Sequence, residues 1–311
     1  MVPMATASSV RPRLRGVIAP TVTPFDDNGA ISIPGVHRMV DSLAEAGVEG
    51  IIPADLIGEV LSLTLEERRA VLAESVQAAA GRMIVVALTA DPSLQNAIEL
   101  ARFAAKAGAD VIKLSLPYPY TPSATGMLDI FHRIDDAADM PFLVESSDAL
   151  TIPLDVIAAL GERPNFVGVE EWGNDVARMD RLFQEFSARL AILPSGETAL
   201  LFLSLLGVSG LIAAEVNFAP RVMREFLAAC QQRELDRALA LFGRRRRYRD
   251  LFREGLRRGL PLYTPYAKAA VALQGLPVGR PRPPHDPLTA EEIARLREVL
   301  RREFDLAASS A

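Results

Sequence analysis

Eight short apolar runs, separated by stretches of helical periodicity, constrain this chain more than any other feature in it. They read GVIAPTVTP from Gly16, GIIPAD from Gly50, MIVVALTA from Met83 and VIKLSLP from Val111, then PFLVESS from Pro141, FVGVEEW from Phe166, AILPSG from Ala191 and GLIAAEV from Gly210. Both alternating faces of these runs are apolar, as parallel strands covered on both sides require. The alternation of strand with helix is the βαβ signature. Between the runs lie amphipathic helices such as Ile33 to Ala46, stopped by Gly47, and Thr64 to Ala80, where Thr64 and Glu67 form a capping box. Short loops favour one closed (β/α)8 TIM barrel over two separate domains.

The expected organisation is a flexible N-terminal segment (1–13), a barrel (14–220) and a C-terminal helical extension packed on it (221–311). The extension reads as helices over Arg221 to Cys230, Leu235 to Gly255 and Thr264 to Leu273. A proline-rich crossing (GLPVGRPRPPHDP) then leads to a last helix, Thr289 to Phe304.

Composition excludes several classes. A net charge of -5 leaves no electrostatic footprint for nucleic acid. The run Arg244 to Arg247 reads as a solvated helix face or a subunit contact. No apolar stretch reaches membrane-spanning length, and the first dozen residues lack a signal-peptide core. A single cysteine, Cys230, lies in an apolar helical stretch and can form no internal disulfide, which fits a reducing cytoplasm.

Barrel enzymes carry their chemistry at the C-terminal ends of the strands. Asp55 ends strand two, Glu145 lies on strand five with Asp148 after it, Glu170 and Glu171 lie on strand six, and Glu215 on strand eight. Carboxylates in a strand interior are costly unless paired, protonated or metal-bound. Lysines are scarce (Lys106, Lys113 and Lys268), and only Lys113 falls on a strand. The histidines His37, His132 and His285 lie away from the strand ends, so no nucleophile–histidine pair is in view. Trp172 and Tyr118 suggest an aromatic wall, with core packing as the plainer role for each.

The run GVIAPTVTPFDDNGAIS resembles the opening strand and loop of the dihydrodipicolinate synthase / N-acetylneuraminate lyase family. The resemblance continues through EAGVEGIIPADLIGEVLSLTLEER, AGADVIKLSLPYPYTPS, NFVGVEEWGND, LPSGETALLFLSLLGVSGLIAAEVNFAP and YAKAAVALQGL. It implies a barrel with a helical C-terminal layer, lyase chemistry on a small-molecule ligand and a homo-oligomer, dimer or tetramer. Glu170 stands where the family has its Schiff-base lysine, and Glu145 where it has its proton-relay tyrosine. Leu56 and Ile57 replace the two threonines that hold the oxo acid's carboxylate, and Leu150 replaces the synthases' arginine. Tyr118 is retained, with Pro119 in place of the second tyrosine. Gly58, Glu59, Gly196 and Asn217 are retained as well.

A glutamate can neither attack a carbonyl as an amine nor leave a cationic electron sink. The expectation is therefore an atypical member, not a functional dihydrodipicolinate synthase, whose cavity attracts cations and repels anions. Three readings are open. In the first, the protein is a lyase acting on a small carbonyl-containing metabolite, with Glu145, Glu170 and Lys113 as catalytic groups. Asp55, Tyr118, Glu215 and Asn217 then bind substrate. A variant of this reading places a divalent cation (Mg, Mn or Ca) on Asp55, Glu145 and Glu170. In the second, Lys113 takes over the Schiff base. In the third, the chain is a catalytically silent relative that binds a small cationic ligand.

Overall fold

In the computed structural model, which describes residues 6–116, 120–257 and 262–306, all eight apolar runs form strands. These are β1 (Gly16–Pro20), β2 (Gly50–Ile52), β3 (Ile84–Leu88), β4 (Val111–Leu114), β5 (Phe142–Ser146), β6 (Phe166–Glu171), β7 (Ala191–Pro194) and β8 (Gly210–Ile212). Every paired neighbour is parallel, in the order β7-β6-β5-β4-β3-β2-β1-β8. The strands begin within a residue of the apolar runs but stop earlier. The remainder of each run is the loop that carries side chains to the barrel mouth.

Thirteen α-helices occur among the described residues: α1 (Ala7–Val10), α2 (Ile33–Glu45), α3 (Leu65–Ala79), α4 (Leu94–Ala107), α5 (Ala124–Ala138), α6 (Leu154–Leu160), α7 (Val176–Phe186), α8 (Thr198–Leu206), α9 (Pro220–Gln231), α10 (Leu235–Asp250), α11 (Arg253–Arg257), α12 (Tyr263–Ala272) and α13 (Ala290–Phe304). The capping box expected at Thr64 is present, with Thr64 Oγ1 accepting from the Glu67 N–H and Glu67 Oε2 from the Thr64 N–H. No helix among the described residues is long and apolar enough to cross a membrane.

Two apolar layers follow from strand alternation. Ile18, Ile52, Val86, Val111, Leu143 and Ile212 are among the residues packed together inside the barrel, to which every strand contributes. Val17, Ile51, Ile112, Val144 and Val169 face outward into the larger layer shared with the helices.

Residues 6–13, expected to be loose, form a helical turn instead. Val10 and Leu14 are fully buried in the inner layer. Arg11 donates to the Ala188 carbonyl just before β7, and Arg13 pairs with Asp110 just before β4, so this segment closes the N-terminal end of the barrel.

The opposite end is roofed by the C-terminal helices. Phe218, Tyr248, Phe252 and Tyr266 stack in sequence with ring centroids 5.0, 5.3 and 4.9 Å apart, and Phe304 packs edge-on to Phe218 at 5.6 Å. This aromatic spine joins the turn after β8 (Ala214–Asn217) to α10, α12 and α13 and sets which face of α10 looks into the barrel.

Candidate active site

Strand register decides which carboxylates reach the interior. Glu145 on β5 is directly opposite Glu170 on β6, and Ser146 is opposite Glu171. Glu170 therefore points into the barrel, and Glu171 points out toward α7, where it pairs with Arg178 and accepts from the Gly173 N–H. Lys113, on β4, also points inward.

Lys113 Nζ lies 2.7 Å from Asp55 Oδ2, 2.9 Å from Glu170 Oε2 and 3.2 Å from Glu145 Oε2. Each acid is oriented by a further donor. Ser195 Oγ donates to Glu170 Oε1 (2.9 Å), Ser115 Oγ to Glu145 Oε2 (2.6 Å), Trp172 Nε1 to Glu145 Oε1 (3.1 Å) and the Leu56 N–H to Asp55 Oδ1 (2.6 Å). The result is one buried lysine inside a cage of three acids, assembled from β4, β5, β6 and the loop after β2.

The cage sets the protonation states. Burial by itself would push the Lys113 ammonium down, but the charges of Asp55, Glu145 and Glu170 reverse that and hold it well above the ordinary lysine value. For Glu170, burial dominates and the repulsion of Glu145 and Asp55 adds to it, outweighing Lys113. Its carboxyl is raised to about 7. For Glu145, the cost of burial is overcome by Lys113 and by the hydrogen bonds from Ser115 and Trp172, so it stays below the ordinary range. Two facing carboxylates are thus pushed apart in acidity, which suits one to exchange protons near neutrality and the other to remain charged.

The three oxygens that could have bound a divalent cation meet an ammonium at their centre. Among the described residues, no group of three or more His, Cys, Asp or Glu side chains is arranged to hold a metal ion. The residues present fit a lysine here and do not fit a metal.

A cavity open to solvent lies above the cage. Leu56, Ile57, Ile212 and Ala213 contribute apolar wall, and Trp172 lies at its edge. The far wall comes from α10, where Arg245 and Arg249 line the same cavity.

This differs from the solvated or subunit-facing arginine run expected from the sequence. Arg246 and Arg247 do face outward, whereas Arg245 and Arg249 are buried, one helical turn apart on the barrel side. The expectation of a cavity that repels anions is corrected by the same two residues. The sequence signal was present, an arginine pair at i and i+4, but the unbroken run hid it.

Two residues read as substrate ligands are placed otherwise. Glu215 is fully buried outside the cavity lining, with Oε1 3.2 Å from Arg245 Nε and 4.0 Å from Arg249 Nη1. Asn217 is occupied by backbone: its Nδ2 donates to the Pro20 and Ala214 carbonyls, and its Oδ1 accepts from the Val22 N–H. It braces the ends of β1 and β8. Tyr118 lies outside the described residues.

The sequence matches the dihydrodipicolinate synthetase family over residues 13–303. The chain belongs to that family. It is 30% identical to a 4-hydroxy-tetrahydrodipicolinate synthase of Methanothrix thermoacetophila, covering 94% of this chain and 98% of that protein. It is 31% identical to the enzyme of the same name from Methanopyrus kandleri, covering 94% and 96%. Among solved structures, dihydrodipicolinate synthase of Bacillus anthracis superposes with a TM-score of 0.84 at 27% identity, covering 93% and 98%. YagE of E. coli, a prophage protein of the same family solved in complex with pyruvate, gives 0.84 at 26%, also covering 93% and 98%. The family is one of lyases, and its barrel with C-terminal helices is the fold described above.

Proposed function

We propose that this member of the family is a carbon–carbon or carbon–oxygen lyase for a small carbonyl-containing metabolite. In this reading it works by carboxylate acid/base chemistry rather than through a lysine Schiff base, and it is not a functional dihydrodipicolinate synthase. The observation that carries the proposal is the cage of Asp55, Glu145 and Glu170 around the Lys113 ammonium.

A Schiff base needs a neutral amine, and three acids hold this one protonated. The same ammonium is well suited to a different task. When a proton leaves the carbon next to a carbonyl, negative charge gathers on the carbonyl oxygen, and a pre-positioned cation in a buried site stabilises it. Glu170, with its carboxyl raised to about 7, accepts that proton and returns it to the product or leaving group. Glu145 stays ionised and, with Asp55, keeps Lys113 charged and in place.

Pyruvate is a reasonable first probe because the related YagE was solved with it. In deuterium oxide, the wild-type protein is expected to exchange the pyruvate methyl protons, read by proton NMR, and Glu170→Gln to lose at least a hundredfold of that rate. Borohydride treatment with pyruvate should leave the intact mass unchanged. A trapped adduct that disappears in Lys113→Met would overturn the proposal in favour of a Schiff base on Lys113.

A further inference from the structure

The cavity has a second polar pole that shares no ion pair with the cage. Arg245 is 2% exposed, and its Nη2 donates to the Gly196 carbonyl at 2.6 Å. Its Nε and Nη1 find no hydrogen-bond acceptor among the described residues, although Arg245 lines the cavity. The neighbouring acid does not satisfy them. Glu215 Oε1 is 3.2 Å from Arg245 Nε, yet neither Glu215 oxygen makes a hydrogen bond among the described residues. Arg249 is held by Tyr263, through both its hydroxyl and its ring face (4.7 Å to the centroid), and among the described residues its acids are distant, Glu197 at 3.7 Å and Glu215 at 4.0 Å. Glu197 is itself engaged by both ends of the Arg253 guanidinium.

A buried guanidinium with unused donors is costly to leave unmet, and its planar fork matches a carboxylate. Apolar wall from Leu56, Ile57, Ile212 and Ala213 lines the same cavity as both poles. We propose that Arg245 and Arg249 of α10 form a carboxylate-binding subsite, taking the place of the loop at Leu56 and Ile57, for a substrate whose reacting carbonyl reaches the Lys113 cage. The assignment of the carbonyl end rests on the function proposed above. The assignment of the carboxylate end rests on the arginines alone. On this view the C-terminal helical layer supplies the acid-binding wall, and the apolar loop at Leu56 and Ile57 supplies none of it.

Binding of oxamate separates the two assignments, because this pyruvate isostere has no exchangeable carbon-bound proton and no ketone to react. Calorimetric titration would compare oxamate with its uncharged counterpart oxamide. The proteins are wild type, Arg245→Met and the double variant Arg245→Met/Glu215→Leu, which removes both buried charges so that folding does not depend on one unpaired partner. Loss of a charge-assisted hydrogen bond predicts oxamate affinity falling roughly 10- to 100-fold in both variants, with oxamide changed less than threefold. Unchanged oxamate binding in the folded double variant would overturn the proposal, as would an equal loss for oxamate and oxamide. Inorganic phosphate binding as tightly as oxamate would overturn the carboxylate assignment. Arginine-dependent oxamate binding in a protein that exchanges no pyruvate protons would uphold the carboxylate end and sink the lyase reading. Glu170-dependent exchange with arginine-indifferent oxamate binding would do the reverse.

Discussion

The protein buries two lysines, and their surroundings set them to opposite tasks. Lys113 sits at the cavity floor among three acids, which hold its pKa well above the ordinary value. Among the described residues, Lys268, on α12, has one acid, Glu59 Oε1 at 2.7 Å, together with the Arg280 carbonyl at 3.2 Å and the Phe25 ring face at 4.0 Å. There burial wins over Glu59, and Lys268 is lowered to about 8. Burial alone therefore does not decide a lysine's state; the number of acids bought into contact does. The first cluster faces a cavity. The second is filled from all sides and ties the tail to the barrel: Glu59 Oε2 accepts from the Arg282 N–H, and Arg282 grips Glu67 at 2.7 and 3.0 Å.

The largest contrast should come from removing each lysine. Lys113→Met leaves the buried Asp55 and Glu170 and the partly exposed Glu145 without their cation and is expected to cost about 3–5 kcal/mol in urea unfolding at pH 7.5. It should recover part of that at pH 5, where Glu170 carries a proton and one of the three negative charges is gone. Lys268→Met leaves one acid that keeps its Arg282 partner and should cost less. Equal costs would break the comparison.

The next effect belongs to Glu170. A carboxyl raised from 4.5 to about 7 binds its proton more tightly when folded, so its stabilising contribution is complete below about 4.5 and is lost as pH rises through about 7. Glutamine imitates the protonated form. Glu170→Gln should therefore unfold with wild-type stability at pH 4.5 and be more stable at pH 8, by about 2–3 kcal/mol. Greater stability at both pH values, or at neither, would mean that the acid is not protonated by its surroundings.

Lys268 titrates in the opposite sense. Its folded value is lowered from 10.5 to about 8, so its contribution is present above 10.5 and lost as pH falls through 8. The stability difference between wild type and Lys268→Met should widen by about 2 kcal/mol between pH 7.5 and pH 10. A constant difference would place Lys268 in a fully solvated state. The smallest effect is at Trp172→Phe, which deletes one hydrogen bond to the still-paired Glu145. Its expected cost is about 1 kcal/mol in stability, with a change of a few fold in kcat.

The barrel was legible because parallel strands buried on both faces leave an unmistakable apolar run, and all eight runs became strands. The acids at their ends were legible for a related reason, since charge inside such a run stands out. What was misread lay where one-dimensional pattern is ambiguous. Residues 6–13 read as part of a flexible segment, and only the closed barrel reveals an apolar hole for Val10 and the adjoining Leu14. Asn217 looks like a ligand until the neighbouring strand ends show their unpaired backbone groups.

By itself, the sequence determined the eight strands, most of the helices, the fold and the presence of several acids and one strand lysine near the C-terminal ends, because these depend on local periodicity. The tertiary structure decided the rest. Register between β5 and β6 turned Glu170 inward and Glu171 outward, and three separate strands and a loop closed the cage on Lys113. The packing of α10 on the aromatic spine chose Arg245 and Arg249, out of a run of similar residues, to face the cavity. Each choice depends on how distant elements meet, which a one-dimensional pattern does not encode.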